Sequence, residues 1–177
     1  MNPKHYVDDP KHTIALVGPI TLTTVAELMP IISHLDKRKL ANGFRIRMAS
    51  PGGEASACLA LFDIIKLCNN EVTIEAFGEC SSAAAILLQA ADNRWLAPRC
   101  RMLIHNGAVD AAVEAVSGRK LVEAGQEVVR LDEIFCDIFV SRSGLPKETV
   151  EKWLEAETYF TAQEAVQQGL ADWVITK

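Results

Sequence analysis

The sequence predicts an α/β fold, and three observations carry that expectation. Runs such as Phe44-Arg45-Ile46-Arg47-Met48-Ala49 and Val72-Thr73-Ile74-Glu75-Ala76-Phe77 alternate with period two and read as strands. Each leads through a glycine-containing turn into an apolar stretch of helical length: Ala57 to Ile65 after the first, Ala83 to Ala91 after the second. Two such strand–glycine–helix units stand next to each other, which suggests stacked ββα-type units whose turns meet along one edge of a sheet.

Taken in order, residues 1–12 are polar, carry Pro3 and Pro10, and read as a loose N-terminal arm; residues 13–177 read as a single domain. Thr13-Ile14-Ala15-Leu16-Val17 is a strand stopped by Gly18-Pro19. Thr23 or Thr24 is expected to cap a helix with apolar positions Leu28, Ile31, Ile32 and Leu35, bent at Pro30. After the two central units, Trp95-Leu96-Ala97 and Met102-Leu103-Ile104 read as short strands around Pro98-Arg99, the second ending in His105-Asn106-Gly107. Residues 108–116 read as extended chain. A long helix is expected from Ser117 to about Arg142. Its face of Leu121, Ala124, Val128, Leu131, Phe135 and Ile138 is widened by Val122, Val129, Ile134 and Phe139. So broad an apolar face predicts burial against a partner subunit as well as the helix's own domain. Gly144 ends the helix and Pro146 opens a short one through Trp153-Leu154. Thr161-Ala162-Gln163-Glu164 is a capping box, Gly169 a helix stop, and Trp173-Val174-Ile175 a last strand.

Composition narrows the function classes. A length of 177 residues with 49% hydrophobic and 23% charged residues is enough to bury a full core. The net charge of -5 argues against nucleic acid or an anionic membrane surface as partner. No apolar run has membrane-spanning length and the N-terminus lacks a signal-peptide core. Cys58, Cys68, Cys80, Cys100 and Cys136 are odd in number and scattered, which points to a reducing, cytoplasmic setting with cysteines as small core residues. There is no H-E-x-x-H, no cysteine–histidine cluster and no Walker A loop, so no metal and no cofactor is expected; if ATP matters, a partner hydrolyses it.

The chemistry concentrates in Gly78-Glu79-Cys80-Ser81-Ser82-Ala83-Ala84, where a glycine turn is expected to deliver two serines to the first turn of a helix. One meaning is helix capping, for which serine is well suited. The other is a nucleophile raised into the open beside unsatisfied N–H groups of a helix N-terminus. The second glycine turn, Ser50-Pro51-Gly52-Gly53, permits close backbone approach at the same sheet edge.

Together, Ser50-Pro51-Gly52-Gly53, Gly78 to Ala84, Arg101-Met102-Leu103-Ile104-His105 and Phe160-Thr161-Ala162-Gln163-Glu164-Ala165…Gly169-Leu170-Ala171-Asp172 resemble the proteolytic subunit of the Clp protease. The order and spacing match from about residue 13 to the end. The resemblance implies the Clp/crotonase fold, with the long helix as a protruding handle. It implies Ser82 as nucleophile, His105 as general base, and the backbone N–H groups of Gly53 and Ala83 as oxyanion hole. Peptide substrate would add as a strand beside Gly52 and Gly53. Where the family has an aspartate before the capping box, this chain has Glu157, and Glu155-Ala156 replace the family's preceding Asp-Arg pair. A glutamate can orient an imidazole as an aspartate does.

As partners, the resemblance implies polypeptide substrate, self-association into rings (a heptamer or double ring) and an AAA+ ATPase. Arg45 and Arg47 stand where the family places aromatic residues for that ATPase, and the N-terminal segment that lines the family's axial pore diverges. The expected function is a serine endopeptidase cutting unfolded polypeptide inside a self-assembled chamber. Its rivals are a weakly active or inactive ring subunit, a phage-type processing protease of the same fold, and an acyl-CoA enzyme of the crotonase type.

Overall fold

A computed structural model of the chain describes residues 10–107 and 118–176. Five parallel strands form the main sheet in the order β1 (Thr13–Val17), β2 (Phe44–Ser50), β3 (Val72–Ser81), β4 (Asn93–Leu96) and β7 (Trp173–Val174). Strand β5 (Arg101–Ile104) pairs with the far half of β3, and β6 (Thr158–Thr161) adds antiparallel to β5. The helices are α1 (Leu22–Asp36), α2 (Ala55–Lys66), α3 (Ala83–Leu88), α4 (Gly118–Ser143), α5 (Lys147–Glu155) and α6 (Ala162–Gln167). Alternation of strand and helix, with α2 packed between α1 and α3, builds the mixed α/β architecture that the pattern predicts.

Strand β3 organises the rest, and it differs from expectation. It does not stop at a turn around Gly78 but runs on to Ser81. Thr73 to Ala76 pair with β4, then Glu79 to Ser81 pair with β5. At the handover the register with β2 slips, Met48 facing Ala76 but Ser50 facing Cys80, and Gly78 takes φ 65 inside the displaced segment. The chain can stay extended because a new partner strand arrives to satisfy its main-chain groups. The turn toward α3 therefore falls later, at Ser82 itself.

Other boundaries shift for local reasons. The cap of α1 is Thr21, whose hydroxyl accepts from the N–H of Thr24 while Thr24 answers from N3; Thr23 and Thr24 lie within the helix. Leu28, Ile32 and Leu35 are buried, but Ile31 is on the exposed side. α3 ends at Leu88, before Ala91. The capping box of Thr161 and Glu164 forms as expected. Strand β6, unpredicted, holds its place by pairing with β5. Of the N-terminal arm, Pro10–His12 form a 3-10 turn; the rest of the arm, the expected extended chain at 108–116 and the helix start at Ser117 lie outside the described residues.

The long helix corrects one expectation. Phe135, Cys136 and Phe139 are buried within the chain's own domain, so Phe139 is not part of a face left for a partner. Leu121, Val122, Val129 and Ile134 are the large apolar residues of α4 that remain exposed. The cysteines behave as core residues: all five thiols are free and only Cys68 is more than slightly exposed. On β2, Arg45 and Arg47 do not simply project outward. Both donate to Glu75, fully buried on β3, at 2.6 Å and 3.0 Å, and the Arg45 guanidinium also lies 5.2 Å from the Trp95 ring centre. Among the described residues, no helix is long and apolar enough to cross a membrane, and no cluster of metal-ligating side chains occurs.

Candidate active site

Two strand-to-helix elbows meet at the ends of β2 and β3. In the second, Ser82 has φ 55 and ψ -125, a left-handed conformation that a residue with a Cβ adopts at a cost of about 1–3 kcal/mol. Its N–H donates to the carbonyl of Leu103 on β5 at 2.8 Å, and its carbonyl accepts from the N–H of Ala85 at 2.9 Å. The backbone is thus fixed on both sides, while the Ser82 hydroxyl makes no capping bond. Ser81 is the opposite case: it is buried, and its hydroxyl donates to the Glu79 carboxylate at 3.0 Å. Of the two serines, only Ser82 is presented.

The first elbow lies directly against the second. A Cβ on Gly52 would fall 2.7 Å from Ser82 Cβ and 2.9 Å from the Ala83 nitrogen, so only glycine permits the approach. Gly52 uses both main-chain groups internally: its N–H donates to Ser50 Oγ at 3.1 Å, and its carbonyl accepts from Ile20 at 2.8 Å. The next bond in that ladder runs from the Glu54 N–H to the Ile20 carbonyl at 2.8 Å. In a parallel bridge of this pattern, the N–H and C=O of Gly53 point away from Ile20. A side chain on Gly53 would also strike the Ile20 carbonyl oxygen, 2.1 Å from the Cβ position. The Ala83 N–H, in the first turn of α3, has no intrahelical acceptor.

Ser82, Ala83, Gly53 and His105 line one cleft of about 470 Å³. Ile86 of α3, Ile104 of β5, and Val128, Leu131, Phe135 and Phe139 of α4 make its apolar wall. Beneath the elbow, Cys58 donates its thiol hydrogen to the Ala83 carbonyl at 3.1 Å. Burial pushes that thiol up to about 12, so it stays protonated and serves as a packing group.

His105 follows the last residue of β5 and is half-buried. Its Nδ1 lies 2.6 Å from the carbonyl oxygen of Asn106. A carbonyl can only accept, so Nδ1 carries the proton and Nε2 of the neutral ring keeps a lone pair. Glu157 stands apart from this contact. The β5–β6 ladder pairs Ile104 with Thr158, and one more step would set His105 opposite Glu157, but the ladder ends there. Glu157 has φ 50 in the turn after α5, its side chain is exposed, and no bond joins it to His105 among the described residues. The structure therefore brings together Ser82, His105, Gly53 and Ala83, keeps Gly52 as a spacer, and leaves the Glu157 carboxylate outside. The Asn106 carbonyl was not anticipated; the one available signal was a glycine directly after His105-Asn106.

A serine held in a strained elbow, a histidine and two backbone N–H groups with no acceptor among the described residues share one cleft, an arrangement of the serine-hydrolase kind in an α/β protein. A family model described as Clp protease matches residues 9–177, and the chain belongs to that family. It is 28% identical over 163 residues to an ATP-dependent Clp protease proteolytic subunit of Pleurastrum terricola, covering 91% of this chain and 82% of that protein. A proteolytic subunit of Ostreococcus tauri is 29% identical over 152 residues, covering 85% of this chain and 74% of that protein. Proteolytic subunit 1 of Chlamydia muridarum is 24% identical over 159 residues, covering 89% and 82%.

Proposed function

We propose that this chain is a serine-type endopeptidase that cleaves unfolded polypeptide or peptides through an acyl-enzyme on Ser82. The observation that carries the reading is the Ser82 elbow: a strained, uncapped serine facing the same cleft as His105. In the reaction, Ser82 Oγ bonds to the scissile carbonyl carbon as His105 Nε2 takes its proton. The carbonyl oxygen becomes an oxyanion received by the Gly53 and Ala83 N–H groups. The C–N bond then breaks, the imidazolium returns the proton to the departing amine, and water reverses the sequence to release the acid. Substrate backbone pairs with the outward C=O of Gly53, whose N–H is kept for the oxyanion, and the wall of Ile86, Val128, Leu131 and Phe135 receives an apolar side chain next to the scissile bond.

Self-association into rings extends this reading. Leu121, Val122, Val129 and Ile134, exposed along α4, supply apolar surface for a neighbouring subunit. An ATPase partner would meet Arg45 and Arg47 already bound to Glu75, a polar surface on which apolar docking residues find little grip.

A fluorophosphonate probe tests the reading. It should modify Ser82 alone, and Ser82→Ala should abolish both labelling and peptide cleavage, a loss of at least about a thousandfold, with unchanged assembly. Labelling at Ser81, or activity surviving in Ser82→Ala, would overturn it. A second reading, a ring subunit of weak or no activity, draws on the exposed Glu157; assembled wild-type protein that neither labels nor cleaves would establish that one.

A further inference from the structure

We infer that Asp132 of α4 is the carboxylate that positions His105, acting through the Asn106–Gly107 peptide group rather than by touching the ring. The inference rests on the reading of His105 as the base for Ser82. The single peptide unit between Asn106 and Gly107 is engaged at both ends. Its carbonyl accepts from His105 Nδ1 at 2.6 Å, and its N–H donates to Asp132 Oδ1 at 2.7 Å. Bonding at one end of an amide polarises it and strengthens bonding at the other, an effect of about 10–30% per bond. An ionised carboxylate on the N–H therefore makes the carbonyl a better acceptor for the Nδ1 proton. It also favours the imidazolium that forms when Nε2 takes the Ser82 proton.

Two further contacts fix the geometry. The Asn106 N–H donates to the Leu154 carbonyl at the end of α5 at 3.1 Å, so the segment after β5 is tied to α5 as well as α4. A Cβ on Gly107 would come within 3.3 Å of both Asp132 Oδ1 and Val128 Cγ1. The missing side chain is what lets this peptide lie so close to α4. Asp132 is half-buried and accepts this hydrogen bond, whereas Glu157 is exposed and, among the described residues, has none to the ring. The carboxylate duty of the site thus falls on a residue 25 positions before the turn where the motif places it, Asp132 rather than Glu157.

The experiment separates position from activity. Nitrogen-15 spectra of histidine-labelled protein report which ring nitrogen of His105 is protonated, with His105→Gln assigning its signals among the four histidines. Wild type should show a single tautomer protonated at Nδ1. Asp132→Ala should mix in the other tautomer, and Glu157→Gln should leave the spectrum as it was. In peptide cleavage, Asp132→Asn keeps an acceptor for the Gly107 N–H but loses the charge. Its kcat should fall about 10–100-fold at unchanged KM, with an equal fall in the rate of fluorophosphonate labelling. Asp132→Glu should recover part of the loss. An unchanged His105 spectrum in folded Asp132→Ala, or a spectrum disturbed by Glu157→Gln instead, overturns the inference. Should wild type fail to label at Ser82, the proposed function falls, and the tautomer spectra still decide the role of Asp132.

Discussion

The two elbows at the ends of β2 and β3 do the same topological work with different residues. The first turns on Gly52 and Gly53, at φ 97 and φ 153, and the second on Ser82, at φ 55. In the first, the useful group is a backbone N–H, so losing the side chain sacrifices nothing and permits contact with Ile20 and Ala83. In the second, the useful group is a hydroxyl, so glycine cannot serve and the strain of a left-handed serine is retained. Where the tool is main chain, the conformation is relaxed; where the tool is a side chain, it is held against its preference by bonds to Leu103 and Ala85.

Three substitutions break or sharpen that contrast. The largest combined effect on fold and activity is expected from Gly53→Ala, whose methyl would meet the Ile20 carbonyl and push the N–H off its line. Peptide cleavage should fall about 100–1,000-fold, as when one oxyanion donor is lost, and the melting temperature should fall with it. Ser82→Gly should split the two properties: no turnover at all, but a stability gain of about 1 kcal/mol in denaturant titration as the strain is relieved. No gain in stability would mean that Ser82 is not strained. The smallest effect belongs to Ser81→Ala, which loses only the bond to Glu79. It should cost about 0.5–1.5 kcal/mol and leave peptide cleavage within a few-fold of wild type.

What was legible in the sequence follows the range of the interactions. Thr161 and Glu164 are three residues apart, and their capping box is visible as a string. Ser82, His105 and Gly53 become visible through combined motifs, because each motif is a local turn. The strand beyond Gly78 was hidden, since its continuation depends on β5 arriving some twenty residues later. β6 was hidden for a similar reason: four residues, Thr158 to Thr161, are strand only because Arg101 to Ile104 lie beside them. Asp132 reads as one more polar residue on an amphipathic helix, and nothing local distinguishes it from Glu133. The left-handed turn at Glu157, which leaves its carboxylate exposed, is likewise invisible to residue identity.

The pairing of Arg45 and Arg47 with one buried carboxylate bears on how this sheet face can change over generations. Glu75 is fully buried and its hydrogen bonds go to those two guanidinium groups. Exchanging both arginines for aromatic residues would strand the carboxylate without a cation, at roughly 3–5 kcal/mol. Introducing Glu75 beneath an apolar surface would meet the same barrier from the other side. The three positions are therefore mutually conditional, and a lineage crosses between a charged and an apolar face only when an arginine precedes the acid, or the acid leaves before both arginines do.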